Sequence, residues 1–302
     1  MAAERAAALL VVGAAVLWGT SGAAQELGPA ELTFPSAAAF RVLIGGALLT
    51  GLVTALLGAD RIVAVVRRAW RPGLLASVAM AAFQLGYLGG IRMTGVAVGT
   101  LVAIGSAPVA AGVLDLVRGR APGLRWLAAT AVTVLGAGLL LVPGEQGTAR
   151  PAGIALALLA GLSYATYAVG SKQVIETGVD STAAMAVSFL GASVLLAPAL
   201  AVVDVSWAAS AHGLAVLAWL GVVTIAVAYT LFALGLRRLE ASRATTLTLA
   251  EPLTAALLGV LVLREPLSGP AVAGVLLMVL GLALSGEGRR APTSRRAAHR
   301  RA

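Results

Sequence analysis

The sequence predicts an all-α polytopic membrane protein whose ten transmembrane helices form two inverted five-helix repeats. Three observations predict it. The 302 residues are 59% hydrophobic and only 12% charged, about half the charge that coats a soluble domain. Ten apolar windows of about 20 residues, the length that crosses roughly 30 Å of hydrocarbon, are separated by charge, Pro or Gly. The last five windows also repeat motifs of the first five.

The windows run approximately 6–24, 35–57, 73–92, 96–117, 124–142, 151–171, 181–203, 212–235, 243–263 and 269–285. Their continuous Ala- and Leu-rich runs lack the alternation of a membrane barrel, so each reads as a helix. The first can also be read as a signal peptide, with small residues near Ala23 and Ala24 as a cleavage site. Its counterpart in the second half assigns it to the bundle instead.

An even number of crossings puts both termini on one side, and Lys and Arg accumulate in cytoplasmic loops. Eighteen of the 22 basic residues fall in the termini and alternate loops that share one face: Arg5, Arg61 to Arg71, Arg118 to Arg125, Lys172, Arg237 to Arg243 and six tail arginines. Three, Arg92, Arg150 and Arg264, fall on the other face, and Arg41 lies inside a span. A miscounted helix would mix the two classes. The expected location is therefore the cell (inner or plasma) membrane, multi-pass, with both termini cytoplasmic.

The repeat is visible at a constant offset of 144 residues. Ala107-Pro108 to Arg120-Ala121-Pro122 overlies Glu251-Pro252 to Arg264-Glu265-Pro266, and Val134-Leu135-Gly136 overlies Val279-Leu280-Gly281 after one insertion. Five crossings per copy is odd, so the second copy runs in the opposite sense, a pattern found in secondary transporters. The expected organisation is a first repeat at 6–142, a second at 151–285, and a basic, disordered cytoplasmic tail at 286–302.

Composition also excludes functions. The chain has no cysteine, which removes disulfides and thiolate chemistry. His212 sits at a helix edge and His299 in the tail, and no nucleophile and base or metal-ligand cluster lies within the spans. No enzyme activity, cofactor or metal is expected. The net charge of +9 is spread over loops rather than gathered on a nucleic-acid face, so the expected partners are a small-molecule substrate and the lipid bilayer, with no nucleic acid. A homodimer is compatible with the sequence, which does not specify oligomeric state.

Polar groups inside apolar spans are the candidates for function, because burying them in hydrocarbon costs several kcal/mol unless they are paired or hydrated. Glu251 reads either as a proton-coupling or substrate-amine site, or as a hydrogen-bond acceptor beside a Pro252 kink. Arg41 reads either as a side chain that snorkels to the outer headgroups or as a carboxylate ligand facing a cavity. Pro108 and Pro252, each lacking an N–H, are expected to bend equivalent helices. Trp18, Thr20, Ser21, Gln84, Tyr87, Ser106, Tyr164, Tyr167, Tyr229 and Thr246 are candidates to line a substrate pathway or to serve interhelical packing. Gly86-x-x-x-Gly90 and Gly95-x-x-x-Gly99 permit close helix contact.

Taken in order, Leu17-Trp18-Gly19-Thr20-Ser21, Pro35 with Phe40-Arg41, Leu249-Ala250-Glu251-Pro252-Leu253 and Leu263-Arg264-Glu265-Pro266 resemble the EamA-type ten-helix members of the drug/metabolite transporter superfamily. The resemblance covers about residues 6–285. It implies a secondary transporter that exports or exchanges small organic solutes such as amino acids, working by alternating access. It implies a central cavity formed mainly by helices 1, 3, 4, 6, 8 and 9. One departure is Ala121, where members often carry an acid. A broad exporter of lipophilic drugs is the alternative within the class, and a channel or a non-transporting membrane sensor the alternative outside it.

Overall fold

Why ten helices form follows from composition: in hydrocarbon every backbone N–H and C=O must be paired within its own segment. The computed structural model of the chain describes residues 2–32, 34–94, 96–120, 122–141, 150–202, 204–262 and 269–286. Residues 287–302 of the expected tail, the Arg264-Glu265-Pro266 motif, Gly95 and Ala121 lie outside them. Among the described residues the helices are α1 (Ala2–Glu26), α2 (Phe34–Leu57), α3 (Ala59–Thr94), α4 (Val96–Val117) and α5 (Leu124–Leu141). The second half supplies α6 (Pro151–Glu176), α7 (Ser181–Leu196), α8 (Ala211–Leu236), α9 (Ala241–Leu261) and α10 (Gly269–Gly286).

Packing follows the repeat. α3 lies against α6 as α8 lies against α1, α4 against α6 as α9 against α1, and α3 against α7 as α8 against α2, while α2 meets α7 and α5 meets α10. Most of these contacts join opposite halves. The core is therefore an interface between repeats, and relative motion of the halves acts directly on whatever lies there. Gly86 and Gly90 allow the close approach of α3 to α6: a Cβ on Gly86 would stand 3.0 Å from the Leu156 carbonyl oxygen, and one on Gly90 3.0 Å from Ala157 Cβ.

Four elements differ from the sequence expectation. The segment before α3, expected as an arginine-bearing loop, is helical from Ala59, with non-helical backbone at Ala69 (φ −139°, ψ 32°) separating it from the span that contains Pro72. α7 stops at Leu196, short of 203, where Pro198 lies in a 3₁₀ turn spanning Ala197–Ala201. α8 is π-helical over Trp219–Val227, which rotates the residues that follow relative to a regular helix. α9 is not continuous: it breaks into Ala241–Leu247 and Ala250–Leu261. Its partner α4 stays helical through Pro108, so the two prolines do not act alike.

At the end of the bundle that carries the N-terminus, polar contacts tie the repeats together. Arg120 donates to Glu176 (2.9 Å) and Glu240 (3.3 Å), and its hydrogen bond to Glu176 raises its pKa above the usual arginine value. The buried Asp115 carboxylate accepts from the Ser242 backbone N–H at 3.0 Å. Arg243 Nη1 lies 3.6 Å from Glu4, and its Nε donates to the Ser285 carbonyl at 2.8 Å. That chain start, the α4–α5 and α8–α9 loops and the ends of α6 and α10 all meet here accords with alternating crossings.

Lys172 makes a different tie at this end, within the second repeat. It is buried, and its Nζ donates to the carbonyls of Leu236 (2.8 Å) and Arg237 (3.3 Å). These are C-terminal carbonyls of α8, which lack intrahelical partners. Lys172→Met keeps the stem and removes the donor, so it is expected to cost about 1–3 kcal/mol. The check is the thermal unfolding midpoint in detergent, which should fall; an unchanged midpoint would show that the lysine does not hold α6 to α8.

Candidate functional site

Near mid-bundle, seven helices converge on a cavity of about 30 Å³, lined by Trp18 (α1), Arg41 (α2), Phe83 (α3), Ala103 and Ile104 (α4), Tyr164 (α6), Tyr229 (α8), and Thr248 and Glu251 (α9). That volume matches about one water molecule. Both repeats contribute, and Arg41 and Glu251, the two charged residues singled out in the sequence as functional candidates, are on its wall.

The break in α9 sets the position of Glu251. Pro252 has no N–H, so the Thr248 carbonyl loses its regular partner and instead accepts from the Glu251 N–H at 2.9 Å. The Leu249 N–H likewise turns back to Thr246 O at 3.1 Å. Tightening to three-residue spacing ends the first half-helix and starts a second, with Glu251 in the first turn of Ala250–Leu261. The unpaired N–H groups of a first turn favour a nearby negative charge.

Gly19 brings α1 up to this point. A Cβ there would stand 2.6 Å from the Glu251 carbonyl oxygen and 2.6 Å from Thr254 Cβ, so the two backbones are in direct contact beside the cavity. This approach seats Trp18, which packs on Tyr229 (centroids 4.7 Å apart) and Phe232 (5.6 Å). Gly19→Ala is expected to push α1 from α9, at about 1–3 kcal/mol of stability, and to lower transport. Thermal unfolding beside a transport assay checks it, and a variant matching wild type in both would contradict the contact.

Arg41 lines the cavity rather than extending to headgroups, and its Nε is buried without a hydrogen-bond partner. The Trp18 indole N–H is likewise buried and unpartnered. Both groups only donate, so the same wall offers unused donors and the Glu251 carboxylate. Among the described residues neither Arg41 nor Glu251 takes part in an ion pair within 4.0 Å. Phe83 and Tyr164 (5.3 Å apart) and the Trp18–Tyr229 pair supply ring faces around the two charges.

The other sequence candidates divide by location. Tyr87 stacks on Phe83 (5.5 Å) and bonds Thr100 at 3.0 Å, one layer behind the cavity. Tyr167 belongs to the aromatic core behind Tyr164 and Tyr229, with its hydroxyl on Met185 Sδ at 2.8 Å. Gln84 is buried against Met80, and Ser21 is buried without a partner. Thr20 bonds Leu17 O and receives Trp219 Nε1 at 2.9 Å. Ser106 donates to Ala103 O at 3.2 Å, and Thr246 pairs with Thr130 of α5 at 2.9 Å. None of these seven lines the cavity. Phe83, Ala103, Ile104 and Thr248 do, and nothing in the sequence marks them out, since apolar and small residues fill every span.

The sequence profile of the EamA-like transporter family matches residues 5–142 and 151–286. A Bacillus subtilis (strain 168) protein described as "Uncharacterized transporter YwfM" is 39% identical over 292 residues, covering 96% of this chain and 97% of its own. A solved structure described as "Crystal structure of protein" superposes with a TM-score of 0.78 at 21% identity, over 92% of this chain and 96% of that one. At that identity the likeness speaks for the fold alone.

Proposed function

We propose, since the chain belongs to the EamA-like transporter family, that it is a secondary transporter exporting small zwitterionic metabolites such as amino acids by alternating access. The observation that carries the reading is the pair of opposite, unpaired charges, Arg41 and Glu251, on one cavity between the repeats. A substrate carboxylate satisfies Arg41 and the Trp18 N–H. A substrate ammonium satisfies Glu251, aided by ring faces that attract cations.

Alternation follows from the volumes and contacts. A space of about 30 Å³ holds no amino acid, so loading requires the halves to separate around the cavity. Because the principal helix contacts join opposite repeats, rocking one repeat against the other widens one end while closing the other. The orientation with cytoplasmic termini rests on the distribution of bases among the loops.

A broad exporter of lipophilic cations is the second reading, favoured by the aromatic wall and Glu251. Arg41 opposes it, because an unpaired guanidinium repels a cation in the same cavity. Counterflow in proteoliposomes, scoring amino acids against lipophilic cations at equal pH, separates the two. Saturable uptake of amino acids is expected. Uptake of cations alone supports the second reading, and no saturable counterflow from folded protein supports a channel or sensor.

A further inference from the structure

The same end of the bundle that carries the polar ties encloses a basin of about 500 Å³, which is the size of a small-ligand site. Its wall is split between repeats: Asp115, Arg120 and Trp126 come from the first, and Glu240, Arg243 and Ser285 from the second. No part of the central cavity is shared with it. α9 links the two, with Ser242 on the basin and Glu251 on the cavity about 13 Å further along the helix axis.

The acids of this wall are already engaged. Asp115 holds the Ser242 N–H, Glu240 holds Arg120, and Glu4 faces Arg243. Three buried polar atoms have no hydrogen-bond partner: the donors Trp126 indole Nε1 and Ser285 hydroxyl, and Glu4 Oε2, which has only its 3.6 Å ion pair with Arg243. Ser285 is only 6% exposed, so the protein leaves a nearly inaccessible hydroxyl unpaired at the edge of a large polar space. The Trp126 ring is held in place against α4 at Gly112, where a Cβ would collide with it. A buried donor without a partner is costly, and two on one basin mark where acceptor oxygens belong.

We infer that this basin is a second binding site, a vestibule in which Trp126 and Ser285 hold the carboxylate of a small amino acid before it reaches the central cavity. The inference rests on the transport reading above for the route, though not for the binding. The ties from Arg120 to Glu176 and Glu240, and from Asp115 to Ser242, bridge the repeats at the wall of the vestibule. Passage inward to Glu251 requires them to part, so the vestibule fills while the centre is closed.

The test uses the full chain in lipid nanodiscs, titrated with L-leucine and, separately, with L-leucine amide, which lacks the carboxylate. Binding is read by calorimetry. Glu251→Gln, which removes the central carboxylate, is expected to lose the central component of leucine binding and to retain the vestibule component. Trp126→Phe and Ser285→Ala should each weaken it about tenfold, the loss of one hydrogen bond to a charged acceptor, and the amide should bind no better to wild type than to the variants. Leucine binding unchanged in both variants, or absent from wild type, overturns the vestibule. Binding that is lost in Glu251→Gln and kept in Trp126→Phe also overturns it while supporting the central site. Binding as expected here, with no leucine counterflow in liposomes, overturns the transport reading and leaves the vestibule standing.

Discussion

Glu251→Gln is expected to abolish any response of transport to a pH gradient and to weaken counterflow of a zwitterionic amino acid roughly 100-fold, while the protein still folds. Glutamine has nearly the shape of glutamate, so the α1–α9 contact at Gly19 and the break before Pro252 persist. What disappears is the negative charge and the titratable proton. Removing one partner of a desolvated charge pair costs about 2–5 kcal/mol, and the 100-fold figure corresponds to about 2.7 kcal/mol. Counterflow at equal pH reads the substrate effect, and uptake with an imposed gradient reads the coupling. A well-folded variant with an unchanged gradient response would remove Glu251 as the proton carrier, and unchanged counterflow would remove it as the ammonium site.

Arg41→Gln is expected to discriminate between substrates rather than to disable transport uniformly. For a substrate with a carboxylate the KM should rise about 10–100-fold, equivalent to roughly 1.5–3 kcal/mol for hydrogen bonds to a charged group. The corresponding amide, with no anion to hold, should lose far less and can gain, because a repelling cation leaves the cavity with it. The basis is placement: Arg41 lies on the cavity wall with a buried, unpartnered Nε. A side chain serving only to anchor α2 at the headgroups would change both substrates alike. Kinetics of leucine and leucine amide, measured side by side, decide between these.

Much of the architecture was legible because a bilayer imposes simple lengths and paired backbones. Windows of about 20 apolar residues, the clean sorting of arginines and the Pro108–Pro252 offset together predicted ten helices in two copies. The misses have physical causes. Residues 59–69 were read as a loop because of their arginines, yet Ile62, Val65 and Ala69 turn one helical face inward at spacings of three and four residues, which charge count alone hides. The break in α9 lies at Thr248 and Leu249, residues with no special turn preference. Pro252 was its signal, and Pro108 shows that the same signal does not suffice.

The site was half legible for a related reason. Arg41 and Glu251 stand out because charge in a span is expensive, and Trp18, Tyr164 and Tyr229 because aromatic polar groups are few in this chain. Thr20, Ser106 and Thr246 stood out equally, yet their hydroxyls are used by neighbouring carbonyls or by another helix, a fate that sequence does not separate from lining a cavity. Phe83, Ala103 and Ile104 carry no mark at all, because which side of an apolar helix faces inward is decided by partners in the other repeat.

The central claim is that Arg41 and Glu251 act as one zwitterion site between the repeats, and a double-mutant cycle tests it most directly. Counterflow KM for L-leucine would be measured in wild type, Arg41→Gln, Glu251→Gln and the double variant. If a single bound molecule bridges both charges, losing either end releases the other, and the double variant should be scarcely worse than the weaker single one, a non-additivity of about 1 kcal/mol or more. Effects that add in full, or single variants that leave the KM of leucine where it was, would contradict a shared site.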